Sequence, residues 1–328
     1  MTSQASNVTA QQPLVVADRL GVRYPVPRRN IFHRPPDFVA LEDVSFSIAP
    51  GETLGVVGES GSGKSTIGRA LLGRLRPSSG SVGFDGRDLA TLSREELRQL
   101  TRQIQPVFQD PYGSLNPRMT VAEIVGEPLL VHGIAQGAEA RERVNALLAR
   151  VGLPRDTGNR HPGTFSGGQR QRIGIARALA AEPSFIVADE PVSALDVSIR
   201  AQIANLFRDL QEQLGLTYLF IAHDLAVVRY VSHRIAVVYA GRIVELAPRE
   251  AIYRTPRHPY TRALLDAVPS PDPQRRHRHA SVRGELGTRP ETGCAFASRC
   301  PLADARCRAE TPPLTQTDGG HLAACWHA

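Results

Sequence analysis

The chain has 328 residues, more than one hydrophobic core usually supports, and its 41% hydrophobic and 22% charged residues are typical of a globular protein. Composition excludes a disordered or fibrous chain. The sequence contains no run of about 18 apolar residues, so no membrane-spanning helix is predicted. The net charge of +7 comes from basic residues interspersed with acidic ones, so we expect a basic, solvated surface. The first residues lack the basic and apolar stretches of a secretory signal, which favours the cytoplasm.

The apolar pattern predicts two strands before a glycine-rich loop. Residues 44–48 alternate apolar with polar side chains, and residues 54–57 form an apolar run after a Pro-Gly turn. A helix over residues 65–72 follows the loop, and turn residues bracket a short strand over 79–86 that is typical of an antiparallel edge. A mostly helical insertion is expected over about residues 88–160.

The second half of the chain predicts a parallel sheet followed by an appendage. Apolar runs of strand length, separated by helical stretches, lie at residues 185–188, 218–222 and 235–239. That alternation predicts an α/β fold with a largely parallel, helix-covered sheet. Further on the composition changes to Pro, Arg, His and all four Cys, so residues 263–328 are predicted to form a separate C-terminal appendage. Its basic run at residues 275–279 is interpreted as a solvated linker.

One lysine stands out, because 38 of the 39 basic residues are arginine and only Lys64 is not. Lys64 lies in a G-x-x-x-x-G-K-S pattern between a predicted buried strand and a predicted helix, the context of a phosphate-binding loop. There the lysine meets the β- and γ-phosphates and Ser65 ligates Mg²⁺, and a chance glycine-rich turn is the alternative. The predicted nucleotide contacts in this loop are Gly58, Glu59, Ser60, Gly61, Ser62, Gly63, Lys64, Ser65 and Thr66.

A second motif is the apolar strand at residues 185–188, which ends in Asp189 and Glu190. Neighbouring side chains on a strand point in opposite directions, so the two carboxylates can divide the work. We expect Asp189 to bind Mg²⁺ and Glu190 to polarise the attacking water as a general base. Two solvated acids at a strand end are the alternative.

A third motif, Ser166-Gly167-Gly168-Gln169, follows Phe165 and opens an arginine-rich helix. A serine hydroxyl and the backbone N–H groups of a helix start form a second site for a phosphate-sized anion. A plain helix N-cap is the alternative. The motif lies a short helix ahead of the strand that ends in Asp189 and Glu190, which favours the phosphate site.

With these motifs the chain resembles the ATPase subunits of ATP-binding cassette (ABC) transporters, whose signature is usually Leu-Ser-Gly-Gly-Gln. Phe165 replaces the leucine here. The resemblance covers residues 14–262 and implies a P-loop NTPase core with an antiparallel β edge and a helical subdomain over about residues 88–180. Residues 1–13 are expected to be a flexible N-terminus.

The resemblance implies further site residues. Gln109 matches the glutamine loop that touches Mg²⁺ and water, His223 matches the switch histidine at the γ-phosphate, and residues 193–196 match the loop that crosses the dimer interface. Tyr24 occupies the place of the adenine-stacking aromatic, with Phe38 the rival because an insertion follows Tyr24. The catalytic group implied by the resemblance is Glu190, His223, Gln109 and Lys64.

Three segments resemble the oligopeptide/dipeptide importer branch: residues 110–119, residues 258–265 and the cysteine-bearing end. The resemblance implies an ATPase on the cytoplasmic face of a membrane that drives peptide import through two permease subunits. An extracytoplasmic solute-binding protein would belong to the complex, and no nucleic acid would. The insertion after Tyr24 resembles the second of two paired ATPases, which favours a heterodimer over a homodimer.

The four cysteines are Cys294, Cys300, Cys307 and Cys325, and no C-x-x-C pair occurs among them. A disulfide network is not expected in a reducing cytoplasm. Four thiolates suffice for an iron–sulfur cluster, and the resemblance implies a [4Fe-4S] cluster on these cysteines. Zinc and four unligated thiols are the alternatives.

Other functions compete with peptide import. An ABC-type ATPase of a nucleic-acid machine usually has a long coiled coil or two cassettes in one chain, and neither pattern is present here. The presence of both Glu190 and His223 argues against a regulatory binding protein that hydrolyses slowly. Import of another solute, such as nickel or a sugar-derived ligand, stays open because the sequence does not name the solute.

Overall fold

The computed structural model describes residues 12–26, 36–110, 112–267, 290 and 292–328. Within these ranges, no helix has the length and apolar character needed to cross a membrane. Most of the insertion after Tyr24, the N-terminus expected to be flexible up to residue 11, and the basic run at residues 275–279 lie outside the described residues.

Twelve strands are described. In chain order they are β1 Val15–Tyr24, β2 Phe38–Ile48, β3 Thr53–Val57, β4 Ser79–Phe84, β5 Arg87–Asp88, β6 Ile104–Val107, β7 Phe185–Asp189, β8 Thr217–Ile221, β9 Arg234–Tyr239, β10 Arg242–Pro248, β11 Thr315–Gln316 and β12 Leu322–Ala323.

Ten α-helices are described. They are α1 Lys64–Leu71, α2 Arg94–Gln103, α3 Val121–Val131, α4 Gly137–Arg150, α5 Gly167–Ala180, α6 Val197–Leu214, α7 Leu225–Val231, α8 Arg249–Arg254, α9 Pro259–Asp266 and α10 Ala305–Ala309. Two short 3₁₀ turns, Arg155–Asn159 and Pro162–Thr164, connect α4 to α5.

The strands form two sheets. An antiparallel sheet has the order β2-β1-β4-β5, and the larger sheet has the order β11-β12-β10-β9-β3-β8-β7-β6. From β6 to β9 the larger sheet is parallel, and the strands beyond β9 are antiparallel. The five residues of β3 and of β8 are all buried, as expected for strands covered on both faces. The predicted α/β fold with a largely parallel sheet and an antiparallel edge is therefore confirmed.

Two details of the sequence prediction differ from the structure. Three strands, not two, precede the glycine-rich loop, because β1 alternates irregularly where its register against β2 shifts. The range 88–180, predicted to be helical, also contains β6, which pairs in parallel with β7 at the edge of the main sheet. Strand β6 contains Pro106, which an edge strand tolerates because one side of its backbone is unpaired.

The end of the chain is joined to the main sheet instead of standing apart. Strand β12 pairs with β10, and Phe296 is fully buried in the same core cluster as Tyr239 and Tyr260. Helix α9 also runs across the boundary expected at residue 263. The described part of this end therefore gains its apolar core from the main sheet, which its small size could not supply alone.

Candidate functional site: a phosphate-binding loop beside converging strand ends

The glycine-rich loop connects β3 to α1, where Gly63 occupies the N-cap position with φ +107°. This backbone conformation is one that residues with a Cβ rarely adopt. A Cβ at Gly63 would also lie 2.8 Å from the carbonyl oxygen of Ala40 on β2. Glycine is therefore required where the loop enters the helix, and the loop packs directly against the antiparallel sheet.

Lys64 is buried at the start of α1, with only 5% of its surface exposed. Its Nζ donates hydrogen bonds of 2.8 Å to the carbonyl oxygens of Gly58 and Glu59. Burial lowers the pKa of the Lys64 ammonium, while the carboxylates of Glu190, Asp189 and Glu59 oppose that shift. The lysine thus lies between the loop and the acidic strand end, where a compact cation fits better than a broad guanidinium.

Ser65 and Asp189 meet across the site from α1 and the end of β7. Ser65 Oγ donates to Asp189 Oδ1 at 3.0 Å. Burial raises the pKa of the Asp189 carboxyl, and the hydrogen bond from Ser65 opposes this shift. Mg²⁺ prefers such hard oxygen ligands, and a cation would stabilise the charged form of this buried carboxylate. The donor set present here therefore fits a magnesium ion.

Glu190 follows β7, and its carboxylate is contacted by side chains that follow the two neighbouring strands. Gln109 Nε2 donates to Glu190 Oε2 at 2.9 Å, and His223 Nδ1 lies 3.6 Å from the same oxygen. The φ of Glu190 is +48°, in the left-handed region that non-glycine residues rarely adopt. The carboxyl ends of β6, β7 and β8 thus bring together Gln109, Glu190 and His223, as expected at the ligand-binding edge of an open α/β sheet.

The Ser-Gly-Gly-Gln motif forms the start of α5 as predicted. Ser166 Oγ accepts from the Gln169 backbone N–H, and Gln169 Oε1 accepts from the Ser166 N–H, which makes a capping box. A Cβ at Gly168 would lie 2.5 Å from Ile199 on α6, so glycine allows close packing. Phe165 is buried in the core below. In the described ranges no hydrogen bond joins this motif to Lys64 or its neighbours.

Both candidate adenine-stacking aromatics lie at the same end of the antiparallel sheet. Tyr24 and Phe38 are register partners at the ends of β1 and β2. Tyr24 is half-buried against the core, whereas Phe38 is 59% exposed. Phe38 is also two residues before Ala40, whose carbonyl oxygen would lie 2.8 Å from a Cβ at Gly63. The structure therefore offers the more exposed ring at Phe38.

Arg200 contributes to the site without belonging to any sequence motif. Its Nε donates to the Leu195 carbonyl at 2.8 Å, and its Nη1 lies 3.6 Å from Asp224 Oδ2. Asp224 follows His223 directly, so Arg200 links the loop at residues 193–196 to the segment that carries His223. Only the fold brings these segments together, which is why spacing along the chain gave no signal.

The four cysteines form a second cluster in the C-terminal segment. All four are free thiols, and backbone N–H groups two residues further on donate to the sulfurs of Cys294, Cys300 and Cys325. Burial raises the pKa of the Cys294 thiol, and nearby Cys307, Cys300 and Cys325 add to this shift. Thiols that oppose one another's ionisation gain from a shared metal, which binds the deprotonated form. The donor chemistry therefore fits a metal or cluster.

A smaller group overlaps this cysteine cluster. The ligand atoms of Asp304, Cys307 and His327 lie within 4.8 Å of one another. His327 Nε2 is 3.2 Å from Asp304 Oδ2 and 3.7 Å from Cys307 Sγ. Because Cys307 belongs to both sets, a cluster on the four cysteines and a zinc ion on this triad would exclude each other.

Two family models match the chain. The model described as "ABC transporter" matches residues 41–193, and the model described as "Oligopeptide/dipeptide transporter, C-terminal region" matches residues 244–307. The first range contains the glycine-rich loop, the Ser-Gly-Gly-Gln motif and the paired carboxylates. The second contains three of the four cysteines.

Relatives and solved structures agree with these models. A putative peptide import ATP-binding protein of Brucella ovis is 56% identical over 287 residues, which cover 87% of this chain and 90% of that protein. The oligopeptide transport ATP-binding protein AppF of Bacillus subtilis is 48% identical over 91% of this chain and 92% of that protein. A dimeric ATP-binding cassette, MJ0796, in a post-hydrolysis state bound to ADP and Pi, superposes with TM-score 0.64 and 32% identity over 72% of this chain and 98% of that chain.

Proposed function

The chain belongs to the ABC transporter ATP-binding proteins, and we propose that it hydrolyses ATP to power the import of peptides through a membrane permease. The convergence of Gln109 and His223 on one oxygen of Glu190, beside Lys64, carries this proposal. A carboxylate held in this way is suited to orient and polarise a water molecule beside a bound phosphate.

Each side chain of the site has a role in this reaction. The loop from Gly58 to Thr66 binds the phosphates, with the Lys64 ammonium on the β- and γ-phosphates. Ser65, Asp189 and Gln109 would hold Mg²⁺, which would neutralise phosphate charge. Glu190 accepts the proton of the attacking water, and His223 contacts the γ-phosphate. Phe38, with Tyr24 beside it, stacks on the adenine, because its ring is the more exposed.

The Ser-Gly-Gly-Gln motif completes the site of a partner. Ser166, Gly167, Gly168 and Gln169 have no hydrogen bond to the loop of their own chain in the described ranges, although Ser166 and the N-terminus of α5 present donors. They therefore serve a second ABC ATPase subunit, with two ATP molecules held between the chains. The insertion after Tyr24 favours a heterodimer.

Peptide is the proposed cargo, on two grounds. The C-terminal region matches the oligopeptide/dipeptide transporter model, and the relatives described above are named for peptide or oligopeptide transport. The complex then contains two permease subunits and an extracytoplasmic solute-binding protein, and this chain lies on the cytoplasmic face of the membrane.

The cysteine cluster is proposed to hold a [4Fe-4S] group through Cys294, Cys300, Cys307 and Cys325. Burial raises the pKa of Cys294, Cys300 and Cys325, and backbone N–H groups that donate to these three sulfurs oppose that shift and would stabilise thiolates bound to a metal. The group has a structural role, because ATP-driven import requires no redox step. It would link segments of a region that has few apolar side chains of its own.

Purification from native membranes followed by reconstitution tests the proposed function. We expect two permease subunits and a second ATP-binding subunit to accompany the tagged chain. In proteoliposomes, solute-binding protein loaded with peptide should stimulate ATP hydrolysis, and a non-hydrolysable ATP analogue should support no transport. Co-purification with nucleic acid instead of a permease would contradict transport, and stimulation only by a nickel or sugar-derived ligand would contradict the peptide assignment.

A further inference from the structure

A side chain from the cysteine-bearing segment reaches the phosphate-binding loop. Arg299, one residue before Cys300, forms a two-pronged ion pair with Glu59: Nη1 lies 2.9 Å from Oε2, and Nη2 lies 2.8 Å from Oε1. The arginine side chain is only 8% exposed. A planar bidentate pair of this kind fixes both position and direction, and its partial burial limits screening by solvent.

Aromatic side chains support the arginine from both parts of the chain. Tyr239 on β9, Tyr260 on α9 and Phe296 pack with ring centroids 4.6–5.5 Å apart. The guanidinium carbon of Arg299 lies 5.8 Å from the ring centroids of both Tyr239 and Phe296. The Tyr260 hydroxyl also accepts the backbone N–H of Glu59 at 2.8 Å. The C-terminal segment and α9 therefore hold both the side chain and the backbone of Glu59.

Glu59 in turn contacts the lysine of the site. Its carbonyl oxygen accepts a hydrogen bond from Lys64 Nζ at 2.8 Å, and its carboxylate is close enough to affect the pKa of Lys64. An unpaired carboxylate here would repel the phosphates of a nucleotide. Arg299 neutralises that charge through the ion pair.

We propose that Arg299 is a positioning residue through which the cysteine-bearing C-terminal segment sets the charge and geometry of the phosphate-binding loop. The inference rests on the proposed ATPase function, because it concerns affinity for ATP at that loop. Arg299 touches neither Glu190 nor His223, so it acts on nucleotide binding and not on the hydrolytic step.

The test measures ATP binding and turnover in the assembled transporter. Arg299→Gln should raise the dissociation constant and KM for ATP about tenfold, with kcat at saturating ATP within about twofold of wild type. Adding Glu59→Gln to Arg299→Gln should restore most of the affinity, because it removes the unpaired charge. Arg308→Gln, at an exposed arginine of the same segment, is the control and should change neither value.

A merely structural role for Arg299 gives a different pattern. A loosened segment would lower kcat through a smaller active fraction, leave KM unchanged, and gain nothing from Glu59→Gln. That pattern, or ATP affinity of folded Arg299→Gln within twofold of wild type, would overturn the inference. If Arg299→Gln does not fold, Arg299→Lys carries the test: ATP binding should weaken severalfold, and unchanged binding overturns the inference. Failure of the wild-type complex to bind ATP would instead refute the proposed function.

Discussion

Glu245 and His321 form a hydrogen-bonded pair inside the protein, with His321 Nε2 2.6 Å from Glu245 Oε1 and the glutamate side chain fully buried. The same carboxylate accepts the backbone N–H groups of Arg257 and His258. The Glu245 side chain on β10 thus links the segment before α9 to His321, which precedes β12. A buried carboxylate needs all these donors, because an unpaired charge in the interior is costly.

Loss of this imidazole should loosen the C-terminal segment. His321→Ala leaves the buried Glu245 carboxylate without its side-chain partner, and loss of one partner of a buried hydrogen bond costs about 1–3 kcal/mol. Thermal unfolding and limited proteolysis within residues 292–328 would measure the loss. His161→Ala, at an exposed histidine, is the control. Equal protease resistance in His321→Ala and wild type would show that the pair is not needed to hold the segment.

Stability should fall as the pH drops from about 6.5 to about 4. Burial, with help from Arg262, lowers the pKa of His258 to about 4, and its Nδ1 accepts the Tyr260 N–H at the start of α9. The unfolded chain, with a histidine pKa of about 6.5, binds more protons than the folded chain in this window. Acid therefore favours unfolding, by about 2 kcal/mol at pH 5 from this histidine.

The variant His258→Asn tests that pH effect. Asparagine keeps a helix N-cap acceptor but does not titrate, so the difference in unfolding free energy between pH 7.5 and pH 5 should shrink. Denaturant unfolding at the two pH values measures it. His161→Asn should retain the wild-type pH dependence. If His258→Asn retains it too, the titration belongs to another group.

Lys64→Arg should reduce ATP hydrolysis by at least about two orders of magnitude although charge is retained. The Lys64 ammonium fits against the carbonyls of Gly58 and Glu59, and the broader guanidinium does not. Phosphate release assays measure the change. Arg69→Lys, the reverse exchange at an exposed position on α1, should remain active. Near-normal turnover in Lys64→Arg would refute the role assigned to the lysine.

Glu190→Gln should bind ATP but fail to hydrolyse it. The amide keeps the shape of the side chain and one acceptor oxygen but takes up no proton, so the rate should fall about 10²-fold or more. ATP would then accumulate a closed pair of ATPase subunits, visible as a shift by size exclusion. Glu212→Gln, at an exposed position on α6, should behave as wild type. Absence of any ATP-dependent shift would contradict the two-chain site.

Anaerobically purified protein should be brown and contain about four irons per chain. Cys300→Ser should lose the colour and loosen the C-terminal segment, while Ser298→Ala in the same loop should retain the iron. One zinc per chain in colourless protein would favour the triad of Asp304, Cys307 and His327. Metal-free protein with an ordered segment would mean that packing alone holds it.

The sequence predicted the parts of the site that local chemistry determines. The glycine-rich loop, the carboxylates after β7 and the start of α5 each need particular residues at fixed spacing. The fold class followed from the alternation of apolar runs, and the family comparisons confirm the resemblance seen in the motifs.

Long-range contacts were not predictable in the same way. The pair of Arg299 with Glu59 spans 240 residues along the chain. The sequence contains many other arginines and glutamates, and no periodicity or spacing indicates that these two form a pair. Strands β1 and β6 were not predicted either, since β1 has an irregular register and β6 contains a proline. The tertiary pairing that stabilises both strands is absent from the local sequence pattern.

The hairpin of β11 and β12 has a consequence for solubility. Residues Glu245 and Leu246 of β10 pair with Ala323 and Leu322, and Ala324 N donates to Val244 O at 2.9 Å. A version of the protein lacking this hairpin would present the open backbone of β10 to other molecules, which is a template for intermolecular strand addition. Shortened versions should therefore self-associate even when the nucleotide loop is complete. The two-residue strand β11 leaves only a short edge at this side of the sheet.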